Sequence, residues 1–377
     1  MKLLYCIAGT WRSGGMERVL ANKTNYLVAH GYEVVIVTTD QRGKRPFFHL
    51  DGRIVCYDLG INYEENNGKP FFNKLLHYPV KQWRHRKRLA ALLMRECPDI
   101  CISMFCNDAS FLPEIKDGSK KMLEAHFSRF KRLQYARRGV WRVADLWRSQ
   151  ADARIVRHFD KFVVLTEEDK GYWGISLPNI CVIPNACTFK PTKFASLHGH
   201  QVLAVGRLTF QKGYDHLLAV WQMIHTKFPD WHLCIIGDGD LREDLQRMVE
   251  KDGLQESVSI LAETDNISDY YLDSSVFALT SRYEGLPMVL LEAQSYGLPI
   301  VAFRCKCGPA DVVTDGVDGF LVAEGDERAF ADRLQTVMES EEWRLRMGAS
   351  ARNASARYSE ENIMQKWECL FHSLLEG

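Results

Sequence analysis

Short, almost uninterrupted apolar runs alternate with amphipathic helical stretches along the chain, and this rhythm restricts the fold more than any other feature of the 377 residues. KLLYCIA (2–8) is of β type, and the segment after it sets Met16, Val19, Leu20, Thr24, Leu27 and Val28 on one helical face. Gly31 ends that helix, and YEVVIVTTD follows as a strand without polar alternation, as expected where a parallel sheet is covered on both faces. This is a βαβ unit. RIVCYD (53–58), DICISMF (99–105), KKMLEAH (120–126), KFVVLT (161–166) and CVIPNAC (181–187) continue the series, although 41–98 is otherwise hard to read. A second series begins at HQVLAV and runs through HLCIIG, SVSIL, VFALT, IVAF and GFLV. Between the two lies a linker near 188–200. The expected class is α/β, with two Rossmann-like domains facing across a cleft. A single core stops growing near this length, which also favours two domains.

Composition narrows the function. Hydrophobic residues make up 46% and charged residues 25%, as in soluble globular proteins. MKLLYCIAG is too short an apolar run for a signal peptide, and no stretch has the roughly 18 uncharged apolar residues of a membrane span. The 11 cysteines form no disulfide-like framework, and Cys6, Cys101 and Cys234 fall inside strand-like runs, which suggests reduced core residues in a cytoplasmic protein. Cys305 and Cys307 are the close pair, but no second pair stands at metal-ligand spacing. The net charge of zero conceals an asymmetry. Residues 1–195 hold 32 Lys and Arg against 19 Asp and Glu, and residues 196–377 hold 16 against 29. Two domains with different partners are implied. Nucleic acid is not among the expected partners, since the whole chain is neutral and carries no recognition motif.

Three stretches carry chemistry. Gly14-Gly15 stands at the first strand-to-helix junction, where bare backbone and a helix start favour a phosphate. The Gly-x-Gly-x-x-Gly of dinucleotide-binding proteins is absent. In the second half, Arg207 offers a planar fork and Lys212 a point charge just before a helix whose apolar face includes Leu217, Leu218, Trp221 and Ile224, an arrangement suited to a diphosphate. Gly237-Asp238-Gly239 forms the next turn; its Asp238-x-Asp240 spacing is no metal pair in that setting. In RYEGLPMVLLEAQSYGLP (282–299), Glu284 precedes a helix that Pro287 opens and Gly297-Leu298-Pro299 stops, and Glu292 lies within it. Anion-binding amides beside hydroxyl-accepting carboxylates suit a ligand with both phosphate and sugar. In the first half, strand ends put Gly14, Asn107 and His126 at the edge where parallel sheets collect ligands.

Glu284 and Glu292 bracketing seven residues, the aromatic before them, the Gly-Leu-Pro stop and the Gly-Arg-x-x-x-x-Lys-Gly of 206–213 together resemble retaining glycosyltransferase family 4, a match extending from near the start of the chain to its end. The resemblance implies the GT-B fold, with an acceptor-side domain over 1–190, a nucleotide-sugar domain over 198–358 and a terminal helix (359–377) returning to the first domain. It implies that Glu284 contacts donor-sugar hydroxyls, Glu292 contacts ribose, and the Gly285-Leu286-Pro287 turn lines the pocket, although Pro287 has no N–H to donate. His126 would approach the sugar, and Arg207, Lys212 and the Gly14-Gly15 amides would stabilise the leaving diphosphate. The expected partners are a nucleotide-sugar donor and a glycan or lipid-linked acceptor, as in cell-surface polysaccharide synthesis, with no metal cofactor. The cations at 81–88 and 129–157, interleaved with Trp83, Tyr135, Trp141, Val143, Leu146 and Trp147, suggest peripheral contact with an anionic inner membrane face. Double displacement through Glu284 stays open. So do an epimerase or hydrolase on the same fold and a non-catalytic partner, the last disfavoured because Arg207, Lys212, Glu284 and Glu292 are all present.

Overall fold

The computed structural model describes residues 1–66, 71–131, 139–174 and 176–376. The loop at Asn67 to Pro70, the cations Arg132, Arg137 and Arg138, and Tyr135 lie outside the described residues, as does the side chain of Trp141. Two compact units are formed. One comprises 1–165, 170–183 and 364–377, the other 166–169 and 184–363.

In the first unit the apolar runs become β1 (Lys2–Ile7), β2 (Glu33–Thr38), β3 (Val55–Asp58), β4 (Ile100–Ser103), β5 (Lys120–Glu124), β6 (Lys161–Val164) and β7 (Ile180–Val182). They lie in the order β3-β2-β1-β4-β5-β6-β7, with every pair parallel. Parallel neighbours need crossovers, and the described ones include α1 (Gly15–Ala29), α2 (Phe71–Glu96) and α3 (Val140–Ile155). The expected face of α1 is buried at Leu20, Thr24, Leu27 and Val28, but Lys23 is buried with them. Thr166 caps α4 (Glu167–Trp173) by accepting the Asp169 N–H at 3.1 Å.

The second unit holds β8 (Gln201–Val205), β9 (His232–Ile236), β10 (Val258–Leu261), β11 (Val276–Leu279), β12 (Ile300–Arg304) and β13 (Gly319–Ala323), ordered β10-β9-β8-β11-β12-β13 and again all parallel. Its described helices are α5 (Tyr214–Ile224), α6 (Arg242–Lys251), α7 (Ile267–Asp273), α8 (Met288–Tyr296), α9 (Pro309–Val312), α10 (Glu327–Glu339) and α11 (Glu341–Ser355). Leu217, Leu218, Trp221 and Ile224 of α5 are buried in its core as expected, and side chains of this size contribute about 1.5–3 kcal/mol each. The last helix, α12 (Glu360–Glu376), passes from the second unit to the first after Ile363. There Trp367 and Phe371 pack on Lys23 and Tyr32.

Strand order reverses beside β1 in one sheet and beside β8 in the other. Open parallel sheets bind ligands beyond the carboxyl ends of the strands at such switch points. In the first unit this selects the loops after β1 and β4. In the second it selects 206–213 after β8 and 280–287 after β11. Among the described residues, no helix is long and apolar enough to cross a membrane.

Candidate functional site

The two loops selected in the second unit are bound tightly together. The first leaves β8 at Gly206, passes Arg207 and makes a single helical turn, Phe210–Lys212. Gly213 follows at φ 64°, where a Cβ would lie 2.2 Å from the Thr280 carbonyl oxygen, so only glycine lets the two loops touch. The second loop answers with Arg282. Its guanidinium pairs with Asp215 through two bonds of 2.9 and 2.5 Å, donates to the Phe210 carbonyl at 2.8 Å and lies over the Phe210 ring. Gln211 donates to the Tyr283 carbonyl, and the Arg282 N–H donates to that of Gln211.

This brace brings Lys212 to Glu284. Lys212 Nζ donates to Glu284 Oε1 at 2.7 Å, and Ser281 Oγ donates to the same oxygen at 2.7 Å. The Lys212 and Glu284 side chains are 15% and 7% exposed, so the pair is poorly screened by water. Arg207 differs: it is exposed, and among the described residues it makes no ion pair. Its fork is open to a ligand.

Pro287 does not occupy the first helical position. It is the cap residue itself (φ −72°, ψ 97°), and α8 starts at Met288. Gly285, Leu286 and Pro287 pack against Gly308, where a Cβ would meet Pro287 Cδ at 2.4 Å and the Gly285 carbonyl at 3.0 Å. Leu286 and Pro287 are buried and Gly285 is half-buried. Gly297 closes α8 at φ 79°, as its position predicts. Within α8, Glu292 is 6% exposed, and its Oε2 accepts the Tyr271 hydroxyl at 2.8 Å. Tyr271 is clamped by stacking on Tyr296, with centroids 5.1 Å apart and planes 7° apart. Burial, then the Glu292 charge, push the Tyr271 phenol well up, so it remains a donor.

The Gly237-Asp238-Gly239 turn has a steric role. A Cβ at Gly237 would lie 2.0 Å from the Gly206 carbonyl, and one at Gly239 would lie 2.4 Å from that of Leu208. These glycines let the turn support the Arg207 loop. Asp238 is engaged by Arg242 at 2.8 and 3.0 Å and by the Glu263 N–H.

The first unit carries the remaining residues singled out from sequence. Gly14 is the cap residue of α1, and Gly15 opens the helix with free space around its Cα. The Glu17 carboxylate covers Gly14, since a Cβ there would meet Glu17 Oε2 at 2.2 Å. Burial raises the Glu17 carboxyl, against the pull of its own N–H and of Arg12 and His126. The Glu17 side chain is thus the neighbour of the helix start at which a phosphate is expected. Asn107 is held by α2, accepting Gln82 Nε2 on its carbonyl at 3.0 Å. Asp108 is a core residue, 1% exposed, with its carboxyl pushed up to about 6 by burial. His126 lies two residues past β5, its Nε2 3.1 Å from Glu124 Oε2, which also takes Lys23 Nζ at 2.6 Å.

Sequence reasoning missed Ser281, Tyr271, the Arg282–Asp215 brace, Glu17 and the Lys23–Glu124 pair. Signals existed for the last of these. Lys23 interrupts an apolar helix stripe, and Glu124 interrupts a strand of the buried parallel type.

Comparison with known proteins supplies the context. Residues 13–188 match the family model described as Glycosyltransferase Family 4, and 191–354 match that of Glycosyl transferases group 1. The chain is 31% identical over 380 residues to the amylovoran biosynthesis glycosyltransferase AmsD of Erwinia amylovora, covering 97% of this chain and 98% of that one. It is 26% identical over 374 residues to a Campylobacter jejuni α-1,4-N-acetyl-D-galactosaminyltransferase named for a glycan on PP-undecaprenol, with 97% of each chain covered. Among solved structures, the sucrose-phosphate synthase of Thermosynechococcus elongatus superposes with a TM-score of 0.79 at 18% identity, over 100% of this chain and 99% of that one.

Proposed function

The chain belongs to glycosyltransferase family 4 and has the two-domain α/β fold of the GT-B enzymes, and from this premise we propose that it moves a sugar, with its anomeric configuration retained, from a nucleotide-sugar donor to a glycan or lipid-linked acceptor. The observation that carries this reading is the Lys212–Glu284–Ser281 cluster in the same loop pair as Arg207, which makes no ion pair among the described residues, at the switch point of the second sheet. Detaching a sugar from a diphosphate builds negative charge on the leaving phosphate and positive charge on the ring. Arg207 and Lys212 answer the first, acting as preorganised cations that need no reorganisation as the bond breaks. Glu284 answers the second and accepts sugar hydroxyls. Ser281 holds its carboxylate when Lys212 turns to phosphate. Glu292, oriented by Tyr271, is the ribose acceptor. These cations supply the charge for the leaving group, so no metal is required in this scheme. The relatives named for amylovoran synthesis and for an undecaprenol-linked glycan support a role in cell-surface polysaccharide assembly.

Retention is tested on the product. Given a donor with an α-linked sugar, NMR should show an α-glycoside. A β-glycoside would refute retention.

We also propose that the first unit docks on an anionic lipid surface. Trp83 (63% exposed), Val143 (67%) and Trp147 (71%) project beside the exposed cations Arg84, Lys87, Arg142 and Arg148, in the half of the chain that carries the positive excess. Each cation near an anionic leaflet is worth about 1 kcal/mol. Arg86 and Arg88 are partly committed, to Glu114 and to the Leu59 and Gly60 carbonyls. The informative variant is therefore Arg84→Ser with Lys87→Ser and Trp147→Ser. Wild type should co-sediment with phosphatidylglycerol vesicles at low salt, the variant should not, and salt should weaken binding. A wild type that stays in the supernatant ends the membrane proposal and leaves a soluble anionic acceptor for this surface.

A further inference from the structure

Three charged or polar side chains of the first unit are buried together. Lys23, Glu124 and His126 have side chains 4%, 2% and 6% exposed. Taking a lysine and a glutamate out of water costs about as much as their attraction returns, and an apolar pair of the same volume would pack there at no loss. Their arrangement points elsewhere. Lys23 Nζ donates to Glu124 Oε2 at 2.6 Å and is otherwise enclosed by aromatic faces, Trp367 of α12 at 3.7 Å and Tyr5 of β1 at 5.6 Å. Burial alone would raise the Glu124 carboxyl, but Lys23 and His126 outweigh it and hold it below the usual range. Glu124 is therefore an anion and can only accept.

An acceptor at Oε2 forces the proton of His126 onto Nε2, 3.1 Å away. In the neutral ring Nδ1 then carries the lone pair. That nitrogen is buried and has no hydrogen-bond partner among the described residues. Most buried side-chain polar atoms have a partner, whereas this ring is paired at Nε2 and has no partner at Nδ1 among the described residues.

We propose that Glu124, held by Lys23, is a positioning residue for sugar transfer: it fixes His126 as the Nε2–H tautomer and so presents Nδ1 as an acceptor for a substrate hydroxyl at the first unit. The proposal rests on the glycosyltransferase reading, and it assigns a task to two residues that touch no substrate. It also gives α12 a part in the site, because Trp367 caps the lysine that holds the glutamate. Glu17 is the other carboxylate close enough to act on His126, and a doubly protonated ring is the competing outcome.

The test uses full-length protein with 15N-labelled histidine at pH 8, where an ordinary imidazole is neutral. His126 is assigned by loss of its signals in His126→Asn. Wild type should show a protonated Nε2 and a bare Nδ1. Lys23→Met with Glu124→Leu removes both charges and leaves neither orphaned, and His126 should then populate both tautomers. Transfer should fall about 10–100-fold, the usual effect of losing such an outer partner. Binding of UDP, GDP and ADP, measured calorimetrically, should be as in wild type. Lys23→Met with Glu124→Gln keeps an oxygen facing Nε2 and should restore the tautomer and most of the rate. A wild-type His126 protonated on Nδ1 or on both nitrogens overturns the proposal, and so does a tautomer unaffected in the Leu variant. The NMR readout needs no donor. The expected tautomer without any transfer by wild type would therefore count against the transferase reading and not against the dyad.

Discussion

Lys212→Ala should lower the turnover of sugar transfer by about 10²–10³, the loss seen when one preorganised donor to a developing oxyanion is removed. The pairing of Lys212 with Glu284 adds a second consequence. Glu284 is 7% exposed, and without Lys212 its carboxylate keeps only the Ser281 hydroxyl among the contacts described above. Removing one partner of a buried ion pair costs up to about 3–5 kcal/mol, and the 15% exposure of Lys212 puts this case toward the lower end. The melting temperature should fall with the rate. The two effects separate in Lys212→Ala with Glu284→Gln, which removes the orphaned charge and should recover stability while turnover stays low. Arg207→Ala should give a comparable rate loss with an unchanged melting temperature, since the residue is exposed and makes no ion pair among the described residues. The Arg207 and Lys212 losses should combine less than additively, because both cations serve one ligand. Unchanged turnover in either single variant, with the fold intact, would remove the diphosphate assignment.

Residue pattern made the fold legible because parallel strands leave a strong mark. VFALTS and YEVVIVTTD have no polar alternation, so they belong inside a covered sheet, and both are found there. The order of strands could not be read, since hydrogen bonding between parallel neighbours leaves no trace in either strand. Yet that order places the switch points, and with them the loops that meet. Lys212 and Glu284 were each singled out by local context, but their contact spans 72 positions and depends on Gly213 passing against Thr280. The second glycine-rich turn shows the same limit. Gly237 and Gly239 stand out in the sequence as a turn, but only the structure shows that their missing side chains make room for the backbone of Gly206 and Leu208. At the helix start, Gly14 and Gly15 suggest an anion site, and only the structure shows the Glu17 carboxylate beside Gly14. The packing of Pro287 on Gly308 is a contact no helix-start rule contains. Lys23 and Glu124 were visible as charges in apolar patterns, but only the structure joins them to His126.

Nucleotide-sugar chemistry at this site has three possible ends: transfer to an acceptor, hydrolysis by water, or rearrangement of the donor. A transferase binds and orients an acceptor hydroxyl, an advantage that bulk water lacks, so the presence of acceptor should govern the release of nucleotide. An epimerase or hydrolase would release nucleotide at the same rate with or without acceptor, and a non-catalytic relative would release none. The deciding measurement is the rate of nucleoside diphosphate release from UDP-, GDP- and ADP-sugars, with and without a preparation of lipid-linked and free glycans. For one donor class the rate should rise at least about 10²-fold on adding acceptor, with the sugar recovered in the glycan. Equal rates in both arms, or no release from any donor, would contradict a glycosyl-transfer function for the Lys212–Glu284 site.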